Sequence, residues 1–327
     1  MTEKLRWAIM GPGAITLTIL DDFRLVGIQF DAVGSRSAER ASEYAKKHAI
    51  PKSYGSYQDL VADTDLDVIY IATTHNAHFE NAKLALGAGK HVLLEKPFTL
   101  DAKEARQLAA LAKEKGVFLM EAMWTRFLPN HVAVFEKIQQ GLIGKPLYLI
   151  ADHNQFLPKE KAPRLHDSAL GGGSLIDLGI YPISFAHRVF GMPEKVKASA
   201  SLMSGNIDES VAAIFEYSNG RQALVHSSLR VNGPIRAVVM GDKGRIELEK
   251  PFYEHGFFTV YDMEDNVLYR YEGNIEGRGM QFQALEVERC IRAGLGQSPI
   301  MSLDETIEIM EVMDQIRQQT GIEYSGV

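Results

Sequence analysis

The stretch Lys90-His91-Val92-Leu93-Leu94-Glu95-Lys96-Pro97 joins an apolar run to a carboxylate, an ammonium and a proline. Three apolar residues in succession fit a strand buried on both faces. In an open parallel sheet, ligands bind outside the carboxyl ends of the strands, so Glu95 and Lys96 stand where a bound molecule would meet charge. Pro97 ends the ladder and biases Lys96 towards an extended backbone, which sets the direction in which its ammonium leaves. A second reactive set lies between Leu170 and Pro182. There Gly171, Gly172 and Gly173 permit unusual dihedrals and close backbone approach before a helix that runs to about Phe190. Asp177 and Tyr181 are four apart and share one face of that helix. Taken singly, these residues also suit solvated strand ends, a helix start and a core aromatic.

A third constellation has the context of a dinucleotide site. The strand Leu5 to Met10 runs straight into Gly11-Pro12-Gly13-Ala14-Ile15-Thr16 and then an apolar helix pattern. Gly11 permits the tight turn, and Gly13 lets the backbone approach a pyrophosphate held at the helix N-terminus beside Ala14 and Ile15. Thr16 stands at the third glycine position, so the fingerprint is partial. A second strand, Phe30 to Gly34, ends in Ser35-Arg36, about 20 residues beyond the glycines, where such a site reads the ribose. A hydroxyl and a guanidinium there suit a 2′-phosphate, with Arg40 one helical turn further on, so NADP is the expected cofactor and NAD the alternative. The strand Asp67 to Ala72 ends in Thr73, Thr74, His75, Asn76 and His78, which are expected on the same rim. His75 and His78 raise the possibility of a metal, but no third ligand has obvious spacing and no metal is expected.

Around these residues the chain has 327 positions, more than one hydrophobic core usually serves. A hydrophobic share of 46% and a charged share of 24% are ordinary globular values, and a net charge of -7 argues against non-specific nucleic-acid binding. The single cysteine, Cys290, excludes an internal disulfide framework and fits a reducing compartment. The glycines and Asp21-Asp22 interrupt what would otherwise resemble an export signal, and no 18-residue apolar run occurs, so a cytoplasmic protein is expected.

Repeated βα units over the first half, including helices from Phe79 to Ala88 and Thr99 to Lys115 and a last strand Val117 to Glu121, predict a doubly wound parallel sheet. Beyond Met123, one helix around Asn130 to Gln140 precedes strand after strand, among them Glu209 to Tyr217 and Arg221 to Ser228 around the turn Asn219-Gly220. This predicts a second α+β domain with a large, open, mostly antiparallel sheet. The expected division is 1–122 for cofactor and 123–327 for substrate and oligomerisation, with substrate in the cleft between them. A sheet face left uncovered predicts a homodimer or higher homo-oligomer.

With the glycine turn, Glu95-Lys96-Pro97 and Gly171 through Tyr181 in order, the chain resembles the glucose-fructose oxidoreductase and inositol dehydrogenase family (Gfo/Idh/MocA) over nearly its whole length. The resemblance implies a Rossmann domain followed by an open sheet, and hydride transfer between NADP(H) and a secondary alcohol, sugar, diol or the matching carbonyl. It implies Lys96 as active-site lysine and Asp177 as active-site aspartate, and Tyr181 stands where many members have histidine. That tyrosine, with Glu121-Ala122-Met123-Trp124-Thr125-Arg126-Phe127, is similar to the branch holding dimeric dihydrodiol dehydrogenases and NADP-dependent D-xylose dehydrogenases. Trp124 and Arg126 then join Lys96, Asp177 and Tyr181 at the substrate. Tyr181 is the expected acid/base, its phenolate favoured by the Lys96 ammonium, and Asp177 orients the charge network. A cofactor-sensing protein without turnover is the alternative from another class.

Overall fold

The computed structural model describes residues 4–324. They gather into two compact units: 4–99, 103–127 and 276–307 in one, and 100–102, 128–275 and 308–324 in the other. Packing assigns the segment 276–307, whose own sequence carries no mark of either core. Trp7 Nε1 donates to Glu288 at 3.2 Å, and Asp22 accepts from the backbone N–H groups of Arg278 and Met280 at 3.0 and 2.8 Å.

In the first unit, β1 (Trp7–Met10), β2 (Phe30–Gly34), β3 (Lys52–Tyr54), β4 (Val68–Ile71), β5 (His91–Glu95) and β6 (Leu119–Ala122) form a parallel sheet in the order β3-β2-β1-β4-β5-β6. The central strands are apolar and buried along their whole length, as a sheet covered on both faces requires. Helices α1 (Ala14–Leu25), α2 (Ala38–His48), α3 (Tyr57–Ala62), α4 (His78–Gly87) and α5 (Ala102–Lys115) make the connections. The strand order reverses between β1 and β4, which is where open sheets of this kind bind ligands. Neither β3 nor α3 is legible as an apolar pattern. In β3, Lys52 and Tyr54 are half-buried and Ser53 is exposed, and the strand joins the edge by pairing with Ala32 to Gly34, while α3 is one short stretch capped by Ser56, whose hydroxyl accepts from Asp59 N–H at 3.0 Å.

In the second unit, β7 (Pro146–Asn154), β8 (Lys195–Leu202), β9 (Asp208–Glu216), β10 (Gln222–Ser228), β11 (Ala237–Gly241), β12 (Gly244–Leu248), β13 (Phe258–Asp262) and β14 (Val267–Tyr271) make one sheet. The order is β14-β13-β12-β11-β7-β10-β9-β8, and every neighbouring pair is antiparallel except β7 with β10. Along β7 the alternation is plain: Leu149, Ala151 and His153 are buried, while Tyr148 and Ile150 are 46% and 49% exposed. Helices α6 (Pro129–Gln139) and α7 (Ile180–Phe190) belong to this unit, and α8 (Gln281–Arg292) to the first. The last helix, α9 (Leu303–Thr320), begins in the first unit and ends in the second. By length and composition the helical segment 168–190 could cross a membrane, but its apolar window is 89% buried inside the fold.

Candidate active site

The turn after β1 has the shape a dinucleotide needs. Gly11 has φ +89°, and a Cβ there would stand 2.7 Å from Thr73 Cγ2 and 3.2 Å from the Ala72 carbonyl, so no other residue fits. At Gly13, by contrast, a Cβ would meet only the Ala72 carbonyl at 3.8 Å. The protein does not itself require a glycine there, whereas a pyrophosphate lying against the backbone does. Ala14 and Ile15 open α1, where first-turn N–H groups have no acceptor within the helix. Thr16, in the third glycine position, is fully buried; its hydroxyl lies 2.6 Å from the Gly13 carbonyl and 2.6 Å from Tyr44 Oη, on α2.

At the end of β2, Ser35 is buried and Arg36 is exposed. Arg40 reaches back to the glycine turn, donating to the Pro12 carbonyl at 2.7 Å. Burial pushes the Tyr57 phenol up, and the Arg36 and Arg40 charges oppose that rise, which marks both cations as its neighbours. The residues expected here could hold a nicotinamide dinucleotide, with Tyr44 beside Thr16 and Tyr57 beside the two arginines.

The rim formed by β4 and β5 is more tightly bound than its sequence suggests. Thr73 Oγ1 accepts from Asn81 at 3.1 Å, while Thr74 precedes, and Asn76 lies in, the short helical turn before α4. His78 is fully buried, with Nδ1 2.7 Å from the Pro97 carbonyl and Nε2 3.2 Å from the Thr73 carbonyl, so it braces the two strand ends. Glu95 accepts from Tyr70 Oη at 2.6 Å and from Lys96 N–H at 3.2 Å. Lys96 is partly exposed at the strand end, before a cis peptide to Pro97.

Behind this rim, on β6, Glu121 is 1% exposed, and burial pushes its carboxyl up to about 7. Trp124 and Arg126 are each 2% exposed: Arg278 lies over the Trp124 ring at 5.6 Å, and Arg126 donates to Glu305 at 2.7 Å. In the first unit they are therefore internal groups instead of an open cation and ring. Among the described residues no three His, Cys, Asp or Glu side chains are grouped to hold a metal ion.

In the second unit the glycine run allows two segments to touch. A Cβ at Gly172 would lie 2.7 Å from the Leu165 carbonyl oxygen, so only glycine permits that approach. The chain then enters a π-helical turn, Leu175–Gly179, that passes into α7. Asp177 sits in the π turn, 7% exposed, and accepts from Arg164 at 3.0 Å. Tyr181, 8% exposed, packs its ring 5.3 Å from His153 and 4.9 Å from Tyr253, which stack on each other at 4.3 Å. Arg164, His153 and Tyr253 escaped sequence reasoning. His153 lies on the buried side of β7, where an imidazole is costly unless bonded.

Residues 5–123 match the oxidoreductase family, NAD-binding Rossmann fold, and residues 131–247 match the GFO/IDH/MocA C-terminal domain. The chain is 34% identical over 330 residues to trans-1,2-dihydrobenzene-1,2-diol dehydrogenase of Xenopus tropicalis, covering 98% of this chain and 99% of that protein. The Mus musculus protein of the same name is 35% identical over 328 residues, with 98% of each covered. The fold superposes on aldose-aldose oxidoreductase from Caulobacter crescentus, solved with glycerol, with a TM-score of 0.87 at 25% identity and 98% of each chain covered. Two matched domains in the expected order and identity over the full length, together with a glycine turn shaped for a dinucleotide, establish that this chain belongs to the GFO/IDH/MocA family of NAD(P)-dependent oxidoreductases.

Proposed function

We propose that the protein is an NADP-preferring dehydrogenase of vicinal diols or sugars, in which Tyr181 carries the proton, Lys96 polarises the reacting oxygen and Asp177 orients the polar groups. When bound, the nicotinamide supplies the hydride acceptor or donor. The chain's residues then have to hold the substrate carbon in reach and move one proton. Tyr181 is the natural carrier, because its phenol lies in a buried aromatic setting on the same helical stretch as Asp177. Asp177 is held by Arg164, which keeps its charge paired and its position defined. The Lys96 ammonium favours an oxygen that is becoming an alkoxide. Preference for NADP is supported by Ser35 and Arg36 at the end of β2 and by the absence of an acidic residue at that position.

The Asp177–Tyr181 face carries this assignment, and the names of the full-length relatives point to diols as the first substrates to try. The test is a screen following absorbance of the reduced nicotinamide across dihydrodiols, aldoses, polyols and dicarbonyls, each with NADP and with NAD. Turnover of a diol or sugar with NADP favoured is expected; no turnover of any of these classes would sink the proposal.

The protein is further proposed to act as a homodimer, joined through the outer face of the second sheet. Register aligns Val238, Ile150, Leu224 and Ile214 across four adjacent strands, and the last three are 49%, 40% and 40% exposed. An apolar row of this kind is self-complementary about a two-fold axis.

A further inference from the structure

The backbone of the Lys96 turn is held at three successive points by buried side chains. Lys96 N–H donates to Glu95 Oε2 at 3.2 Å, His78 Nδ1 donates to the Pro97 carbonyl at 2.7 Å, and Phe98 N–H donates to Glu121 Oε1 at 3.1 Å. Each holder has a second anchor. Tyr70 donates to Glu95 at 2.6 Å, the other His78 nitrogen lies 3.2 Å from the Thr73 carbonyl, and the Thr306 hydroxyl donates to Glu121 Oε2 at 3.3 Å. Glu121 is the costly member. It is almost wholly buried and its hydrogen bonds go to a backbone amide and a hydroxyl instead of a cation, an arrangement that a leucine of similar size would avoid.

We infer that Glu121 is a positioning residue for Lys96, acting through the Pro97–Phe98 backbone. This rests on the reading of Lys96 as the ammonium that polarises the reacting oxygen. The direction in which the Lys96 side chain leaves is set by the backbone that Glu121 pins. A displacement of about 1 Å at a reacting group costs on the order of 100-fold in rate. The charged and polar groups facing Glu121 come from every side of it. Glu95 on β5 opposes its charge and Arg126, after β6, favours it; Arg126 is in turn paired with Glu305, beside Thr306 in the first turn of α9. Ionised or neutral, Glu121 keeps an oxygen that accepts from Phe98 N–H, so the pin on the backbone does not depend on its titration.

The test compares Glu121→Leu, Glu121→Gln and Lys96→Met in the full-length protein, on the substrate found by the screen. Glu121→Leu should lower kcat by about 10- to 100-fold while NADPH affinity stays within about twofold, because the backbone is displaced and the cofactor turn is not. Glu121→Gln keeps an acceptor for Phe98 N–H and should recover most of that loss. An inactive Lys96→Met beside a Glu121→Leu of full kcat would overturn the positioning role alone. Full activity in Lys96→Met would overturn the reading on which it rests. If Glu121→Leu does not fold, Glu121→Met, which also lacks an acceptor for Phe98 N–H, is compared with the glutamine variant, and equal kcat in the two overturns the inference.

Discussion

Arg40 donates to the Pro12 carbonyl at 2.7 Å, so the helix after β2 is tied to the glycine turn after β1. Arg36, four residues earlier, stands exposed at the strand end. The two arginines expected together at a phosphate therefore have separable effects.

Arg36→Asp should weaken NADP by about 10- to 100-fold and leave NAD nearly unchanged, since it replaces a donor to a phosphate with a repelling carboxylate. Arg40→Ala should weaken both cofactors alike, because the turn that it steadies serves both. Fluorescence titration with each dinucleotide measures both effects. An unmodified protein that already prefers NAD would refute the phosphate assignment.

Tyr181→Phe removes the proposed proton carrier and keeps the ring packed against His153 and Tyr253. A general acid/base contribution of roughly 10²- to 10⁴-fold should be lost from kcat, with NADPH affinity and thermal stability nearly unchanged. Steady-state kinetics beside a melting curve decide, and a variant that turns over at the normal rate removes Tyr181 from the chemistry.

Glu121 also makes a prediction about stability. Its carboxyl is raised in the fold from 4.5 to about 7, so between those values the folded state binds a proton that the unfolded chain does not. The sign is that stability is lost as pH rises through this window, by a few kcal/mol at about 1.4 kcal/mol for each unit. Glu121→Gln should therefore stabilise the protein at pH 8 and have little effect near pH 4.5. Denaturant unfolding at the two pH values tests this, and an equal effect at both would contradict it.

The proposed dimer turns on one row of side chains. Leu224→Lys places a charge in the centre of the apolar row between Ile150 and Ile214 and should give a monomer. Light scattering at micromolar concentration distinguishes the two states, and an unmodified protein that is already monomeric would dismiss the interface.

Some of this molecule was legible in its amino-acid order because the relevant signals are local. An apolar run ending in Glu95-Lys96-Pro97, a glycine turn between a strand and a helix, and Arg36 in place of a carboxylate each occupy a few adjacent residues, and their periods specify strand, turn and helix. The two classes of sheet follow from the same local patterns, βα alternation in the first half and strand upon strand in the second. Only the tertiary structure could bring Thr306 to Glu121, 185 positions apart, or Tyr253 onto His153. It also decided that β7 runs parallel to β10, that 276–307 packs with the first core, and that Asp177 sits in a π turn. These depend on which surfaces pack together and on where buried polar groups find partners, and no window of neighbouring residues contains that information.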